Sequence, residues 1–241
     1  MKRKSIILLF LMIFTLVSKA ESRSDYNTWI SFNVEKGVAK NFSVGGRAEF
    51  RTQDHFSKTD YWILRLLANY KPLPWLKLTI GYDFMGNKKF DKSNGYITLP
   101  SFYKDIHRAF LDVTGTYSVN QFTFSLRERY IYATDTPMYL DYLDSSGEMQ
   151  RWEYSPRKHS HLLRSKLKIS YAIKDTAFSP FISNELFIGR IFEQSRTCAG
   201  TGIKINGVNS ISIYYMWQYK GTSAPKLNNH VICVDYNVKL K

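Results

Sequence analysis

The sequence predicts an all-β fold, a single antiparallel up-and-down transmembrane β-barrel of about 10–12 strands around a polar lumen. Three observations predict it. Apolar residues recur at every second position in one segment after another, which is the periodicity of strands. The polar connections alternate between short turns and longer links, as in membrane barrels. The face opposite the apolar one carries arginines placed near acidic residues, as enclosed charges require.

The first twenty residues are typical of an export signal. Three basic residues at positions 2–4 precede an apolar run at 6–17, and the small residues Ser18 and Ala20 stand before Glu21. This order is that of a cleaved secretory signal peptide. The run is too short to favour a membrane-spanning helix. We therefore assign residues 1–20 to a signal peptide and residues 21–241 to one outer-membrane β-barrel domain.

The chain is strongly basic. Its formal net charge is +14, and loss of Lys2, Arg3, Lys4 and Lys19 with the signal peptide would leave about +10. For an exported protein, this charge favours outer-membrane lipids, lipopolysaccharide phosphates or an anionic solute as partners. A nucleic-acid partner is not expected, because the basic and aromatic residues lie on alternate sides of the strands.

The mature chain opens with two alternating segments joined by a polar turn. Apolar side chains occupy every second position over 30–34 and, after the turn at 38–41, over 42–50. The intervening positions of the second segment carry Arg47, Glu49 and Arg51. One face is thus apolar and the other charged, and the repeating unit is a hairpin.

Later segments repeat this pattern over 62–70, 76–84, 122–126, 163–173, 211–219 and 232–240. Short polar turns lie between the two strands of a hairpin, and longer links such as 86–101 and 133–160 join successive hairpins. Short turns on one side and long loops on the other are typical of an outer-membrane barrel with periplasmic turns. Such a barrel also requires the barrel-assembly machinery as a partner.

The strand count comes to about eleven, whereas single-chain bacterial barrels have even numbers. We therefore expect that one element, at 96–103 or before Tyr26, is missed or misassigned. Glu128 falls in line with the apolar positions of its segment, which predicts a β-bulge that re-aims Arg127 and Arg129.

Alternation alone does not say which face points outward. A soluble periplasmic lipocalin-like barrel with an apolar pocket therefore stays an alternative. The polar face favours the membrane barrel, because it carries Ser, Gly, Thr and paired charges rather than a Lys- and Glu-rich surface. Aromatic residues make up 16% of the chain, and many fall near strand ends, as girdles at the membrane surfaces would: Tyr26, Trp29, Tyr61, Trp62, Tyr70, Trp75, Tyr130, Tyr132, Trp217 and Tyr219.

The candidate site is a charge network inside the lumen. Its members are Arg47, Glu49, Arg51, Arg65, Asp83, Arg108, Asp112, Arg127, Arg129, Arg164 and Glu185. Arginine forks suit phosphate or carboxylate, so an anion-binding lumen is one interpretation. The other is a self-neutralising network that fills the lumen, because buried charges must be paired.

No motif predicts a cofactor, a metal site or catalysis. The five histidines are scattered, and Cys198 and Cys233 fall on separate segments without metal-ligand spacing. An outer-membrane hydrolase acting on lipid or lipopolysaccharide would need Ser and His on one face of a strand. In His159-Ser160-His161 the neighbouring side chains point to opposite faces, so enzyme activity is not the favoured interpretation.

Several segments resemble a family of uncharacterised outer-membrane β-barrel proteins of Gram-negative bacteria, grouped as a domain of unknown function. The resemblance covers most of the mature chain. It rests on Thr28-Trp29-Ile30, the strand from His107 to Asp112, the segment from Phe124 to Tyr130, and the segment from Pro180 to Phe187. It implies a barrel fold in the cell outer membrane, and it supplies no known activity or catalytic residue. Separately, a polar lumen within ten to twelve strands predicts a structural or binding role or narrow solute passage.

Overall fold

The computed structural model describes residues 23–89, 92–93, 98–99, 102–143, 146–189, 191–221 and 227–240. The assigned signal peptide, residues 1–20, lies outside the described residues. No helix in these ranges is long and apolar enough to cross a membrane.

Eleven strands form a closed barrel, which confirms the predicted fold class. They are β1 (Arg23–Ala39), β2 (Phe42–Gln53), β3 (Lys58–Leu73), β4 (Leu76–Lys89), β7 (Phe102–Val119), β8 (Phe122–Asp135), β11 (His159–Tyr171), β12 (Phe178–Ile188), β13 (Phe192–Lys204), β14 (Asn209–Lys220) and β15 (Leu227–Leu240). Two small hairpins lie in the connections: β5 (Lys92–Ser93) with β6 (Thr98–Leu99), and β9 (Met138–Leu143) with β10 (Met149–Ser155).

The barrel closes through a parallel pair. Strand β1 runs beside β15 in one unbroken register from Arg23 opposite Leu227 to Lys36 opposite Leu240, while every other neighbouring pair in the barrel is antiparallel. An odd number of up-and-down strands forces this, because the first and last strands then run in the same direction. The expectations of an entirely antiparallel barrel and of a missing or misassigned strand were therefore wrong.

The apolar face points outward and the charged face inward. On β2, Phe42, Val44 and Phe50 are exposed on the outside, whereas Glu49 is only 8% exposed within the barrel. Directly opposed residues of neighbouring strands share a face, so the register carries this orientation around the barrel. This is the reverse of a lipocalin-like barrel, whose pocket is apolar.

The two ends of the barrel differ. At the turn end, two-residue connections join β1 to β2, β3 to β4 and β7 to β8. Asn41 and Asn120 supply the left-handed backbone there, with φ of 64° and 51°, a conformation that Asn tolerates better than most residues. The other end, here called the loop end, carries the long connections with the two small hairpins.

Two sequence expectations fail in detail. Strand β8 pairs with both neighbours without a register shift, so no bulge is present and Glu128 faces outward, where it accepts a hydrogen bond from Ser165 Oγ at 2.6 Å. Trp29 and Tyr61 are not girdle residues: both lie opposite Arg51 on the lumenal face. In each case the strand keeps its two-residue alternation, so the position of the residue decides which face it lies on and its chemical type does not.

Candidate functional site

All eleven residues of the predicted charge network line the lumen. The structure brings them together in four groups, each built on one carboxylate. Three of these carboxylates, Glu49, Asp83 and Glu185, each contact two arginines, and the fourth, Asp112, contacts one.

The first group is held by adjacent inward positions of β2. Glu49 pairs with Arg47 and, at 2.5 Å, with Arg51. Arg47 also reaches Asp235 on β15 at 3.4 Å, and Asp235 accepts hydrogen bonds from Ser31 Oγ and, at 3.1 Å, from Tyr214 Oη. These contacts tie both strands of the parallel closure to the lumenal network.

The second group lies across β3, β4 and β7. Arg65 donates two hydrogen bonds to Asp83, from Nε at 2.6 Å and from Nη2 at 2.9 Å. Arg108 donates to the same carboxylate from Nη2 at 2.5 Å. Asp83 is only 1% exposed, so both guanidiniums are needed to offset the cost of burying its charge.

The third and fourth groups lie on β7, β8, β11 and β12. Arg164 forks onto Glu185 at 3.1 and 2.9 Å, and Arg127 joins it at 2.5 Å. Arg129 forks onto Asp112, with both contacts at 2.6 Å. Bidentate pairing of this kind fixes the planar guanidiniums in orientation.

The guanidiniums also stack on aromatic rings, and these stacks constrict the lumen. The guanidinium carbon of Arg51 lies 3.7 Å from the ring centroid of Trp29, and that of Arg196 lies 4.8 Å from the same ring. Arg196 is also 4.4 Å from the ring of Phe187, which Arg164 approaches at 4.3 Å. The five side chains form one continuous stack, here called the lumenal stack, that reaches from β2 to β11 through the lumen.

A second, shorter stack lies in the lumen beside β4. Arg65 and Arg129 flank the ring of Phe110 at 4.8 and 4.1 Å. Gly81 lies directly opposite Phe110, and a Cβ at this position would collide with the ring. The absence of a side chain at Gly81 therefore makes room for the ring that two arginines share.

Cations outnumber carboxylates in the middle of the lumen. The ten cations are Arg47, Arg51, Arg65, Arg108, Arg127, Arg129, Arg164, Lys166, Lys168 and Arg196. The five carboxylates are Glu49, Asp83, Asp112, Glu185 and Asp235. Nearer the turn end, the inward positions carry the carboxylate Glu35 and at least two cations, Lys77 and Lys239, so the excess of cations persists there.

In the middle of the lumen, the described cations without a carboxylate partner lie on β11 and β13, the two strands that flank β12. Lys166, Lys168 and Arg196 form no ion pair with any carboxylate among the described residues. Lys168 Nζ lies 4.0 Å from the ring of Phe181, and Arg196 Nε donates to Gln218 Oε1 at 3.2 Å. Arg127 Nε, which is buried, has no hydrogen-bond partner in the described structure. These N–H groups can donate hydrogen bonds to a bound anion.

Sequence reasoning missed several lumenal residues. The outward positions next to Arg196 on β13 are Ser195, Thr197 and Ala199. Because these residues are small or polar, the sequence does not show that Arg196 points inward. Lys166 and Lys168 alternate with the apolar positions of the 163–173 segment, but the predicted network does not include them. Phe187 was read only as part of a family resemblance, because an inward aromatic gives no periodic signal.

The two cysteines are free. Cys198 and Cys233 are 6% and 0% exposed and pack inside the barrel with Met216 and Val231. They lie on β13 and β15, with β14 between them. They therefore behave as small apolar core residues.

The nearest Ser and His arrangement does not form a catalytic pair. Ser160 lies opposite Ala133 on the lumenal face, while His159 and His161 point outward. Each histidine is bonded through Nδ1 to a tyrosine hydroxyl: His161 to Tyr130 at 2.6 Å and His159 to Tyr132 at 2.7 Å. The geometry gives a hydrolase no support at this position.

Comparison with known proteins finds one family and several solved barrels. The family described as "Protein of unknown function (DUF2490)" matches residues 26–229. The beta domain of the Bordetella autotransporter BrkA is similar at 12% identity over 76% of this chain and 78% of that chain, with a TM-score of 0.49. The NanC porin is similar at 13% identity over 81% of this chain and 87% of that chain, with a TM-score of 0.42. No curated protein matches.

Proposed function

The chain belongs to the DUF2490 family of proteins of unknown function, and we propose that it is an outer-membrane β-barrel that admits small anions into a constricted, cation-lined lumen. Its role is then binding or narrow passage of an anionic solute. The surplus of ten lumenal cations over five carboxylates carries this proposal.

The outer surface supports the membrane location. Phe122 and Tyr132 mark the two ends of the apolar face of β8, ten residues apart. At about 3.3 Å per residue and a strand tilt of about 40°, this distance corresponds to a band about 25 Å tall. That is the height of the apolar band of outer-membrane barrels. Between these residues the outward positions of β8 are apolar or aromatic except for Glu128.

The charge balance supports the anionic solute. The Asp83 and Glu185 groups each hold one positive charge in excess, whereas Asp235 balances the Glu49 group. Lys166, Lys168 and Arg196 add three more positive charges. Like charges in a low-dielectric interior repel unless anions accompany them. The cation-rich lumen therefore favours entry of anions and opposes entry of cations.

The lumenal stack limits the size of the solute. The lumenal stack is a run of five side chains in contact, from Arg51 through Trp29, Arg196 and Phe187 to Arg164. A barrel of eleven strands leaves little space beyond such side chains. Inorganic anions and small carboxylates are the solutes that fit this geometry.

The test is ion selectivity in a planar bilayer. We expect the purified, folded barrel to give small conductance steps and, under a salt gradient, a reversal potential of the sign that anion preference produces. Lys166→Gln/Lys168→Gln should move the reversal potential toward zero, and Lys40→Gln, at an exposed turn lysine, should leave it unchanged. Cation preference would contradict the proposal, and a silent bilayer would rule out narrow passage. Cell fractionation and heat-modifiable gel migration test the membrane location.

A further inference from the structure

Four tyrosine–histidine pairs lie on the outer surface of the barrel, and the proposed lumenal function uses none of them. The tyrosine Oη lies 2.5–2.7 Å from the histidine Nδ1 in each pair: Tyr82 with His107, Tyr130 with His161, Tyr132 with His159, and Tyr215 with His230. When a tyrosine hydroxyl donates to Nδ1 of a neutral imidazole, the imidazole proton is on Nε2. In this tautomer, each pair presents the imidazole N–H at Nε2 toward the barrel surface.

Three of the pairs meet on neighbouring strands. His107 on β7, Thr134 on β8 and His159 on β11 stand side by side in one row, and Tyr132 and His161 stand side by side in the next row toward the turn end. We call the set of His107, His159, His161, Thr134, Tyr82, Tyr130 and Tyr132 the histidine patch. Its rings contact one another, with 5.2 Å between the centroids of Tyr132 and His161.

The histidine patch contains an unpaired hydroxyl. Thr134 Oγ1 is enclosed between two histidines and has no hydrogen-bond partner among the described residues. Buried polar atoms in folded proteins are normally paired, so an unpaired hydroxyl beside imidazole N–H groups indicates a missing hydrogen-bond partner, and an anion is the partner that both kinds of donor could share.

Cations border the histidine patch on its loop side. Arg157 and Lys158 directly precede His159 and are exposed. Lys88 projects outward near the loop end of β4, with Nζ 5.5 Å from the ring of Tyr103. One outward carboxylate, that of Asp105, also lies in this region. Cations therefore outnumber acids here.

The opposite border is apolar. In the row below Tyr132, Leu111 and Leu163 flank Tyr130, and Leu111 and Leu163 are 53% and 42% exposed. From the loop end toward the middle of the barrel the surface thus changes from cations to imidazoles and aromatic rings and then to aliphatic side chains. A phosphorylated glycolipid has the same order of phosphate, sugar and acyl chain.

We propose that the histidine patch binds the phosphorylated headgroup of an outer-leaflet glycolipid. This inference rests on the membrane location in the proposed function but not on the lumenal role. The imidazole N–H groups and the Arg157 guanidinium donate to phosphate oxygens, the tyrosine rings face the sugar, and the leucines contact the acyl chains. A free phosphate would use only the first of these contacts.

The test compares three probes on the folded barrel in detergent micelles: a bis-phosphorylated acylated glucosamine disaccharide, the same lipid without phosphates, and inorganic phosphate. Affinity is measured by native mass spectrometry. We expect the phosphorylated lipid to bind at least about ten-fold more tightly than the dephosphorylated one, and inorganic phosphate not to displace it. Equal affinity for the two lipids, or full displacement by inorganic phosphate, would overturn the proposal.

Variants locate the site. His107→Gln/His159→Gln/His161→Gln should weaken binding about ten-fold, while His230→Gln, in the tyrosine–histidine pair on the other side of the barrel, should leave it unchanged. Arg157→Ala/Lys158→Ala, in an exposed connection, should weaken binding without affecting folding, which heat-modifiable migration checks. Unchanged binding in both multiple variants would overturn the proposal. Lys166→Gln/Lys168→Gln should change ion selectivity but not lipid binding, so failure of one proposal is distinguishable from failure of the other.

Discussion

Arg196 on β13 and Trp29 on β1 meet within the lumen, with the guanidinium carbon 4.8 Å from the ring centroid, although two strands lie between them in the barrel wall. This contact links the two ends of the lumenal stack. Because Arg196 has no carboxylate partner among the described residues, the two rings that it touches provide much of its stabilisation.

Trp29→Ala should widen the constriction. Removal of the ring deletes two cation–π contacts, and loss of a large packed side chain costs about 3 kcal/mol or more of unfolding free energy. We expect larger single-channel conductance and a lower urea midpoint in lipid vesicles. Trp62→Ala, on the outer face, is the control and should leave conductance unchanged. Conductance equal to that of wild type for both variants would show that the stack does not limit the lumen.

Glu128 and Glu185 should respond in opposite directions to the same substitution. Glu128 faces outward, four residues from both Phe124 and Tyr132, so its charge lies near the middle of the apolar band. Glu128→Gln removes that charge and should stabilise the barrel by about 1 kcal/mol, because carboxylates on a lipid face are unfavourable.

Glu185→Gln should instead destabilise the barrel by about 3 kcal/mol, because Arg127 and Arg164 lose their shared counterion. The measurement for both variants is the urea midpoint of the folded barrel in phospholipid vesicles. Destabilisation by both substitutions would indicate that the outer face near Glu128 does not contact lipid.

Asp135 should make the loop end sensitive to acid. Asp135 lies beyond the apolar band. Burial raises its pKa, but hydrogen bonds from Lys104 Nζ and the Lys158 backbone N–H lower it by more. The net effect holds the pKa below its ordinary value of 3.8. A carboxyl with a lowered folded-state pKa contributes stability above its unfolded pKa and loses it as the pH falls through the folded value.

We therefore expect wild type to exceed Asp135→Asn in stability at neutral pH, and the difference to shrink as the pH falls below 3.8. Limited proteolysis of the connection at 136–158 across a pH series measures this. A difference that does not depend on pH would assign the effect to the amide itself.

Both thiols should be inaccessible in the folded barrel. Cys198 and Cys233 are buried and unpaired, so a maleimide should label neither until urea unfolds the chain, after which both react. Labelling of the folded protein, or a disulfide visible on a non-reducing gel, would contradict the packing described for β13 and β15.

The sequence predicted the faces of the strands well because each strand keeps its two-residue period. Arg47, Glu49 and Arg51 point inward as expected, and so do the other eight predicted charges. The prediction for Glu128 was wrong because its charge on an apolar face was taken to indicate a bulge. The pairing of β8 with both neighbouring strands is unbroken, so Glu128 stays on the outer face.

Closure and cross-lumen contacts could not be predicted. Alternation is the same in parallel and antiparallel strands, so the pairing of β1 with β15 leaves no mark on either segment. Arg196 and Trp29 are far apart in sequence, and their contact depends on barrel diameter and side-chain reach rather than on any local pattern.

Because of the parallel closure, the start of β1 and the end of β15 lie at opposite rims of the barrel. In a barrel with an even number of strands both chain ends return to one rim, whereas here Arg23 stands at the loop end and Leu240 at the turn end. One epitope next to Arg23 and another next to Leu240 would face different compartments, so antibody access to intact and permeabilised cells would report the insertion topology from a single polypeptide.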